Sequence, residues 1–359
     1  MLILGGLFAF ILIGIFSLTL KAQWVISEIN VAGTDDHYEL FKVFGDKNAA
    51  FTSLKLPEKE PNRLDVLVLG MRGIGEEFGG LLTDTILLLS LDTGSGKIAM
   101  VSIPRDLYIA LPYNGKVKIN ELYSIGYDKA GEKFALNLTK TVISQITGVY
   151  VDDAVRIDFK GFEKLIDTVG GIDIYLPEKF TEIEQWKGSG GFTLPKGQNH
   201  LNGEIALFYA RSRFSTSDFD RARRQQEILL ALKEKLTALN ILSNPVKVYS
   251  ILDIIGNHVR TDANMDISDA LALAQQIDYT DMKRLVLTTQ NYLYQTHASN
   301  GAYILLPKDG TFEEVGRVIK NIFTLQTFPA SVIPQSAYEK SLTNNNPLSN
   351  ATSTADTLK

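Results

Sequence analysis

Five arginines fall between positions 211 and 224, within the segment YARSRFSTSDFDRARRQQ (209–226). Guanidinium groups match pairs of phosphate oxygens, and the backbone N–H groups at a helix N-terminus also favour an anion. Ser217 and Asp220 fit the S-x-x-D pattern of a capping box, which predicts a helix that starts near Ser217. A phosphate or pyrophosphate site is therefore predicted at the start of this helix.

Helical spacing determines which of these side chains can act together. Arg221, Arg224 and Gln225 are at positions i, i+3 and i+4 and so share one helix face. Arg223 points about 200° away from Arg221 and is expected to be solvated. The face that carries Arg221 continues into an apolar stripe, formed by Ile228, Leu232, Leu236 and Leu239. An ordinary solvated face would lie opposite the leucines, so this register favours a partly buried anion site.

Other polar residues lie where predicted buried strands begin or end. Asp84 opens one such strand, and Arg105 and Asp106 follow the next one. Open α/β sheets bind ligands at the ends of their strands. The Asp84 carboxylate suits a hard cation such as Mg²⁺, or it pairs with Arg105 across the hairpin. The glycine-rich loop 70–80 lacks the G-K-[ST] ending of a phosphate-binding P-loop.

Composition excludes several classes of function. The chain has 359 residues, with 36 Lys and Arg against 41 Asp and Glu, which gives a net charge of −5 and argues against a general nucleic-acid binder. It has no cysteine, which excludes disulfides, thiolate nucleophiles and cysteine metal sites. The four histidines lie far apart, without zinc-ligand spacing, and the chain contains no G-x-S-x-G hydrolase elbow.

The N-terminus predicts a membrane anchor. Residues 2–20 carry no charge, and as a helix they would reach roughly 28 Å, close to the hydrocarbon thickness of a bilayer. The segment lacks the basic start and small-x-small cleavage site of a signal peptide. We therefore expect a transmembrane anchor at 1–22, a stalk or linker at 23–62, and a catalytic domain outside the cytoplasm.

The rest of the chain predicts an α/β or α+β fold with a mixed central sheet flanked by helices. The catalytic core is expected at 63–240, with a C-terminal part of the same domain at 241–330 and a disordered tail at 331–359. Apolar periodicity predicts strands at 64–70, 83–92, 97–104, 151–159, 172–177, 284–289 and 302–307, of which the second and third form a hairpin. Helices are predicted at 119–146, 159–171, 203–211, 218–240, 244–277 and 311–323, and Gly170 is expected to end the second of these.

Several segments resemble the LytR-CpsA-Psr family over residues from about 64 to about 240. They include TDTILLLSLDTGSGKIAMVSIPRDLYI (83–109), FKGFEKLIDTVGGIDIYLP (159–177) and GQNHLNGEIALFYARSRFSTSDFDRARRQQEIL (197–229). Pairing of SIPRD with ARSR and DFDRARRQQ is specific to this family. The resemblance implies a membrane-anchored enzyme that transfers a glycopolymer from an undecaprenyl-diphosphate carrier to peptidoglycan, outside the bacterial cell membrane.

The resemblance also implies roles for individual residues. The diphosphate would be held by Arg105, Arg211, Arg213, Arg221 and Gln225, to which helical spacing adds Arg224. Asp84 would bind Mg²⁺, and the prenyl tail would lie in an apolar tunnel between sheet and helices, which would account for the apolar character of 119–146. The chain departs from the family pattern at Arg72, where many members carry a metal-binding aspartate. Glu76 or Glu77 could replace that aspartate, or the site could use fewer protein ligands.

The mechanism implied is phosphoryl transfer with little covalent participation from the protein. Arg105, Arg213 and Arg221 would neutralise charge on the diphosphate while an acceptor sugar hydroxyl attacks phosphorus, and Asp106 or Asp84 would accept the proton. A hydrolase of the same prenyl diphosphate, or a non-catalytic binder or regulator that senses polyprenyl phosphate, remains an alternative. The expected partners are the lipid-linked glycan, peptidoglycan or another cell-envelope acceptor, and the membrane, but no nucleic acid.

Overall fold

The computed structural model describes residues 20–30, 56–76, 79–111, 115–183, 191–238, 244–263, 273, 276–325 and 332–334. Across these ranges no helix combines the length and apolar character needed to cross a membrane. The predicted anchor at 1–22 falls almost entirely outside the described residues, as does most of the predicted stalk.

Strands and helices intermingle along the chain, as the sequence predicts. The strands are β1 Arg63–Met71, β2 Thr83–Asp92, β3 Lys97–Ser102, β4 Tyr108–Leu111, β5 Gly115–Lys118, β6 Asp153–Asp158, β7 Ile172–Leu176, β8 Phe180–Glu182, β9 Phe192–Leu194, β10 Gly197–Leu201, β11 Val259–Thr261, β12 Asp278–Val286, β13 Leu293–His297, β14 Tyr303–Pro307 and β15 Val332–Pro334. The α-helices are α1 Leu122–Thr147, α2 Phe159–Val169, α3 Gly203–Arg211, α4 Asp218–Ala238, α5 Pro245–His258 and α6 Glu313–Lys320.

A mixed sheet forms the centre of the fold, with the strand order β11-β6-β1-β2-β3-β12-β15 in the described part of the chain. β1, β2 and β3 pair antiparallel, and β2 and β3 form the predicted hairpin. β6 pairs with β1 in parallel, and β12 pairs with β3 in parallel. The mixed central sheet flanked by helices is thus confirmed.

The pleat of β1 separates two faces of this sheet. Leu67, Leu69 and Met71 pack into the main hydrophobic core together with buried residues of α1. Val68 and Gly70 point the other way, toward α2, α3 and α4. Because side chains alternate along a strand, one short segment serves both the core and the opposite, ligand-facing side.

The helix ends on that opposite side are defined by local signals. The Asp158 side chain caps α2 by accepting a hydrogen bond from the Gly161 N–H at 2.8 Å. Gly170 ends α2 in the left-handed conformation with φ of 88°, as predicted. Asn202 caps α3 in the same way as Asp158 caps α2, through the Ile205 N–H at 2.9 Å.

Several predicted boundaries are revised by the structure, among them the strand predicted at 284–289, which is β12, Asp278–Val286. The helix predicted at 244–277 is wrong in extent, because α5 ends at His258 and β11 follows at once, pairing with β6 at one edge of the sheet. Edge pairing of Val259 to Thr261 overrides the helical pattern of the segment. The predicted tail contains β15, which pairs with β12, whereas residues 335–359 lie outside the described residues.

Candidate active site

A cavity lies between the central sheet and helices α2, α3 and α4. Most of its wall is apolar, and we call this part the apolar chamber. It is lined by Val68, Leu87, Ile157, Phe159, Phe162, Leu207, Ala210, Ile228 and Leu229. The remaining wall is polar and lies where β2 begins and where β1, β3 and β6 end. It comprises Asp84, Thr85, Arg105, Asp158, Arg211, Arg213, Arg221 and Gln225.

Three of the four arginines reach the cavity from two helices and the loop between them, and Arg105 reaches it from the turn after β3. Arg211 is the last residue of α3, and Arg221 lies in the first turn of α4. The predicted capping box begins α4: the Ser217 hydroxyl accepts from the Asp220 N–H at 3.1 Å, and the Ser217 N–H donates to the Asp220 carboxylate at 3.2 Å. These paired bonds fix where the first turn of α4 starts and hence where Arg221 lies.

Arg221 and Gln225 line the cavity, followed along the same helix face by Ile228. Arg224 is not among the lining residues. Its Nε donates to the Tyr209 carbonyl at 3.0 Å, and its Nη2 donates to the Ser212 carbonyl and to Thr216 Oγ1. The predicted sharing of one face therefore fails for Arg224, because the i+3 position turns toward the loop that precedes the helix while the i+4 position faces the cavity.

Ion pairs connect the arginines with two carboxylates. Arg105 Nη1 lies 2.6 Å from Asp84 Oδ1, so the predicted pairing across the hairpin is confirmed. Asp218 Oδ1 lies 3.0 Å from Arg221 Nη1 and 4.0 Å from Arg213 Nη1, and Asp218 Oδ2 lies 3.5 Å from Arg105 Nε. Asp218 is thus surrounded by three of the four arginines in the cavity wall.

Positive charge is concentrated here in a poorly hydrated setting. Burial, followed by the nearby charge of Arg72, lowers the pKa of Arg211 to about 10. Burial also lowers the pKa of Arg221, against the opposing effect of Asp218. Within the described residues, Arg221 Nε is buried without a hydrogen-bond partner. A bound anion would relieve both costs, since it supplies an acceptor and a negative charge together.

Arg105 differs from Arg211 and Arg221 in its electrostatic balance. Burial alone would lower the pKa of Arg105, but the charges of Asp84 and Asp218 outweigh burial and raise it. Arg105 is therefore firmly charged. It is also held in place from both sides, by the hairpin that carries Asp84 and by the helix that carries Asp218.

Asp106 does not line the cavity. Its Oδ1 lies 2.5 Å from Lys118 Nζ, its Oδ2 lies 3.5 Å from Arg105 Nε, and the residue is only 7% exposed. Because this carboxylate contacts two cations outside the cavity wall, it is not placed to meet a substrate hydroxyl in the cavity. In this arrangement Asp106 contacts Arg105 from outside the cavity wall.

The described residues contain no group of three or more His, Asp or Glu side chains suited to enclosing a metal. Mg²⁺ usually binds proteins through one or two carboxylates together with substrate phosphates, and Asp84, beside the arginines, fits that pattern. Glu76 instead pairs with Lys160 at 2.8 Å, and Glu77 lies outside the described residues. At the position where many family members carry an aspartate, Arg72 adds positive charge that acts on Arg211.

The apolar segment 119–146 does not form the wall of this chamber, contrary to expectation. It consists of a short 3₁₀ turn followed by α1, and its buried residues, among them Leu136, Leu138 and Ile143, belong to the core on the other face of the sheet. The segment is apolar because it packs in the main hydrophobic core together with Leu67 and Leu69 of β1.

The sequence analysis does not single out Asp218 or part of the chamber wall. The i, i+3 spacing of Asp218 and Arg221 is a standard signal for an ion pair. Phe159 and Phe162, also three residues apart, present one face of α2 to the chamber. That spacing was visible in the sequence, but the parallel pairing of β6 with β1 that brings α2 there was not.

This chain is similar to known proteins in sequence and in fold. The chain is 30% identical over 268 residues, which are 74% of this chain and 76% of the relative, to a polyisoprenyl-teichoic acid–peptidoglycan teichoic acid transferase TagU of Oceanobacillus iheyensis. The crystal structure of B. subtilis TagV superposes with a TM-score of 0.56 and 28% identity, over 75% of this chain and 100% of that one.

A third comparison shows the fold alone. The LytR-CPS2A-psr family protein YwtF (TagT), solved with bound octaprenyl pyrophosphate lipid, has a TM-score of 0.54 and 22% identity, over 76% of this chain and 96% of that one. The model of the LytR_cpsA_psr family matches residues 31–320. With that match over most of its length, this chain belongs to the LytR_cpsA_psr family.

Proposed function

We propose that this protein is a membrane-anchored, extracytoplasmic phosphotransferase that moves a glycopolymer from an undecaprenyl-diphosphate carrier to peptidoglycan or another cell-envelope acceptor. One observation carries the proposal: an apolar chamber and a cluster of four arginines share the same cavity. A prenyl diphosphate has the same two parts, an apolar tail and a doubly charged head. The names of the relatives support this assignment, since one is called a teichoic acid transferase and another binds octaprenyl pyrophosphate.

Each part of the donor would bind by a different force. The prenyl tail would fill the chamber, where each buried methylene contributes about 0.8 kcal/mol. Arg105, Arg211, Arg213 and Arg221 would hold the diphosphate through charge-assisted hydrogen bonds, with Gln225 beside them. The glycan would extend from the polar end of the cavity toward solvent, where an acceptor can reach it.

The reaction would be an in-line displacement at phosphorus. An acceptor sugar hydroxyl oxygen attacks the phosphorus that carries the glycan, and the bond from that phosphorus to the bridging oxygen breaks. The products are a phosphodiester between glycan and acceptor and a prenyl monophosphate. The arginines neutralise the charge that develops on the departing phosphate, so the protein acts by positioning and electrostatics.

Of the two carboxylates predicted to accept the hydroxyl proton, Asp84 lines the cavity and Asp106 does not. Asp84 would also hold Mg²⁺, which would neutralise diphosphate oxygens when bound. One carboxylate cannot bind the cation fully and accept a proton at the same time. Measuring the activity of an Asp84→Asn variant over a range of Mg²⁺ concentrations separates the role of metal ligand from that of proton acceptor.

A direct test uses a synthetic prenyl-diphosphate-linked saccharide and a peptidoglycan fragment with the purified protein. A linked product, detected by mass spectrometry only when the acceptor is present, supports the transferase. Release of a phosphorylated saccharide without acceptor would instead indicate a hydrolase, and tight binding without turnover a sensor or regulator. Both of those results would overturn the proposal.

A further inference from the structure

Glu182 is a completely buried carboxylate outside the cavity wall. It ends β8 and is 0% exposed. Its Oε1 accepts from the Ser215 N–H at 3.0 Å and from the Ile183 N–H at 3.1 Å, and its Oε2 accepts from the Phe214 N–H at 3.2 Å. A buried carboxylate is costly unless it is well hydrogen-bonded, and here backbone amides satisfy both oxygens.

The two loop amides that bind Glu182 follow directly after Arg213. We call residues 212–217, between α3 and α4, the arginine loop. Arg224 holds this loop from the opposite side, at the Ser212 carbonyl and at Thr216 Oγ1. Its guanidinium also lies over the ring of Phe180, at 5.0 Å, two residues before Glu182. Burial lowers the pKa of Arg224, and the nearby charge of Glu182 opposes that shift.

These contacts fix the backbone of the loop around Arg213, whose side chain lines the cavity. Ser212, Phe214, Ser215 and Thr216 are each held by Glu182 or Arg224, whereas Arg213 lines the cavity. Its side chain is 34% exposed, and its guanidinium lies 4.0 Å from Asp218 and 5.4 Å from the ring of Phe214, a residue whose backbone N–H binds Glu182. The backbone on both sides of Arg213 therefore determines where this guanidinium can reach.

We propose that Glu182 and Arg224 are positioning residues that clamp the arginine loop and so place Arg213 at the diphosphate. This inference rests on the proposed function for the identity of the ligand. Neither residue touches the ligand; each acts through the loop. A guanidinium displaced by about 1 Å loses much of its contribution to a phosphate contact, because bidentate geometry is strict.

The test measures the affinity for inorganic pyrophosphate by calorimetry in a double-mutant cycle. Glu182→Gln keeps the size of the side chain but replaces one acceptor oxygen with an N–H₂ group that faces a backbone N–H. We expect it to weaken pyrophosphate binding about tenfold in the otherwise wild-type protein. In an Arg213→Ala background the same change should cost less than twofold, because the side chain through which Glu182 acts is gone.

Glu178→Gln is the matched control, an exposed glutamate four residues earlier, and should leave affinity unchanged in both backgrounds. Thermal unfolding confirms that each variant is folded. If Glu182→Gln does not fold, Thr216→Val removes one Arg224 contact instead and is expected to follow the same cycle. An equal loss of affinity in both backgrounds, or no loss in a folded variant, overturns the inference. Because the probe is pyrophosphate, a failure of glycan transfer leaves this result unaffected.

Discussion

Arg221 and Arg223 are two positions apart on α4 but have different surroundings. Arg221 is 6% exposed and lines the cavity, whereas Arg223 pairs with Asp220 away from it. Arg221→Ala or Arg213→Ala should each remove about 1.5–3 kcal/mol of phosphate binding, which corresponds to a loss in kcat/KM of roughly 10- to 150-fold. Steady-state kinetics with the lipid-linked donor measures this loss.

Arg223→Ala is the internal control for that measurement and should retain nearly full activity. Circular dichroism and thermal unfolding should show all three variants folded. Equal losses at all three positions would mean that diffuse positive charge, rather than a defined site, attracts the donor.

The effect of substituting Asp84 depends on whether its carboxylate binds Mg²⁺ or only pairs with Arg105. Asp84→Asn removes a charge but keeps one oxygen ligand. If Asp84 holds Mg²⁺, activity should fall and partly recover as Mg²⁺ is raised, and calorimetry should show weaker Mg²⁺ binding in the presence of pyrophosphate. Because Arg72 adds positive charge near Arg211, we expect weaker metal dependence than is usual in the family. Full activity in EDTA without any rescue would rule out the metal role.

At the scale of elements, the start of α4 is the feature on which the site most depends. Ser217→Ala breaks the capping box and should lower the free energy of unfolding by about 1 kcal/mol, measured by urea denaturation. Pyrophosphate affinity should fall as well, since Asp218 and Arg221 lie in the first turn. Ser250→Ala, in the middle of α5, removes a hydroxyl that bonds within its own helix and should do neither.

The elements that sequence predicts well are those with strong local signals. Helix 203–211 is found with those limits, and α2 ends at Gly170 as expected. Prediction failed where tertiary pairing decided the outcome. Residues 259–261 continue a helical pattern, yet they form β11 because β6 offers a free edge there.

The candidate site, too, could be predicted only in part from the sequence. Arg105, Arg211, Arg213, Arg221, Gln225 and Asp84 could be named from the sequence, and the structure brings them into one cavity. Arg224 and Asp106 could not be distinguished from them, because one position along a helix or in the turn after a strand decides which way a side chain points. Segment 119–146 is a different case, because its apolar pattern predicts burial but not which face of the sheet it covers.

Considered as a whole molecule, the protein should be stabilised by its ligand. The cavity contains buried arginines whose charge is poorly compensated, so pyrophosphate should raise Tm. At a pyrophosphate concentration one hundred times Kd, the free energy of unfolding should rise by about 2.7 kcal/mol. Differential scanning calorimetry should show this shift for the wild type and a much smaller one for a protein carrying both Arg213→Ala and Arg221→Ala. Chloride at equal ionic strength serves as the control.

The apolar chamber should contribute to binding of the lipid tail but not of the head group. Phe162 lines the chamber from α2 and is only partly buried. Phe162→Ala should weaken binding of farnesyl diphosphate severalfold while leaving the affinity for pyrophosphate unchanged, as measured by calorimetry. Equal effects on both probes would show that Phe162 supports the arginines rather than the tail.

One face of β1 packs in the core and the other forms part of the chamber in which the prenyl tail would lie. This placement of the tail has a kinetic consequence. Donor and spent carrier would carry the same tail, so the chamber would hold both with equal strength and contribute nothing to the difference between them. Turnover would then depend on how quickly the spent lipid leaves after the head group has lost one phosphate. We expect prenyl monophosphate to be a strong competitive inhibitor, and escape of the carrier into the membrane to set the pace of the cycle.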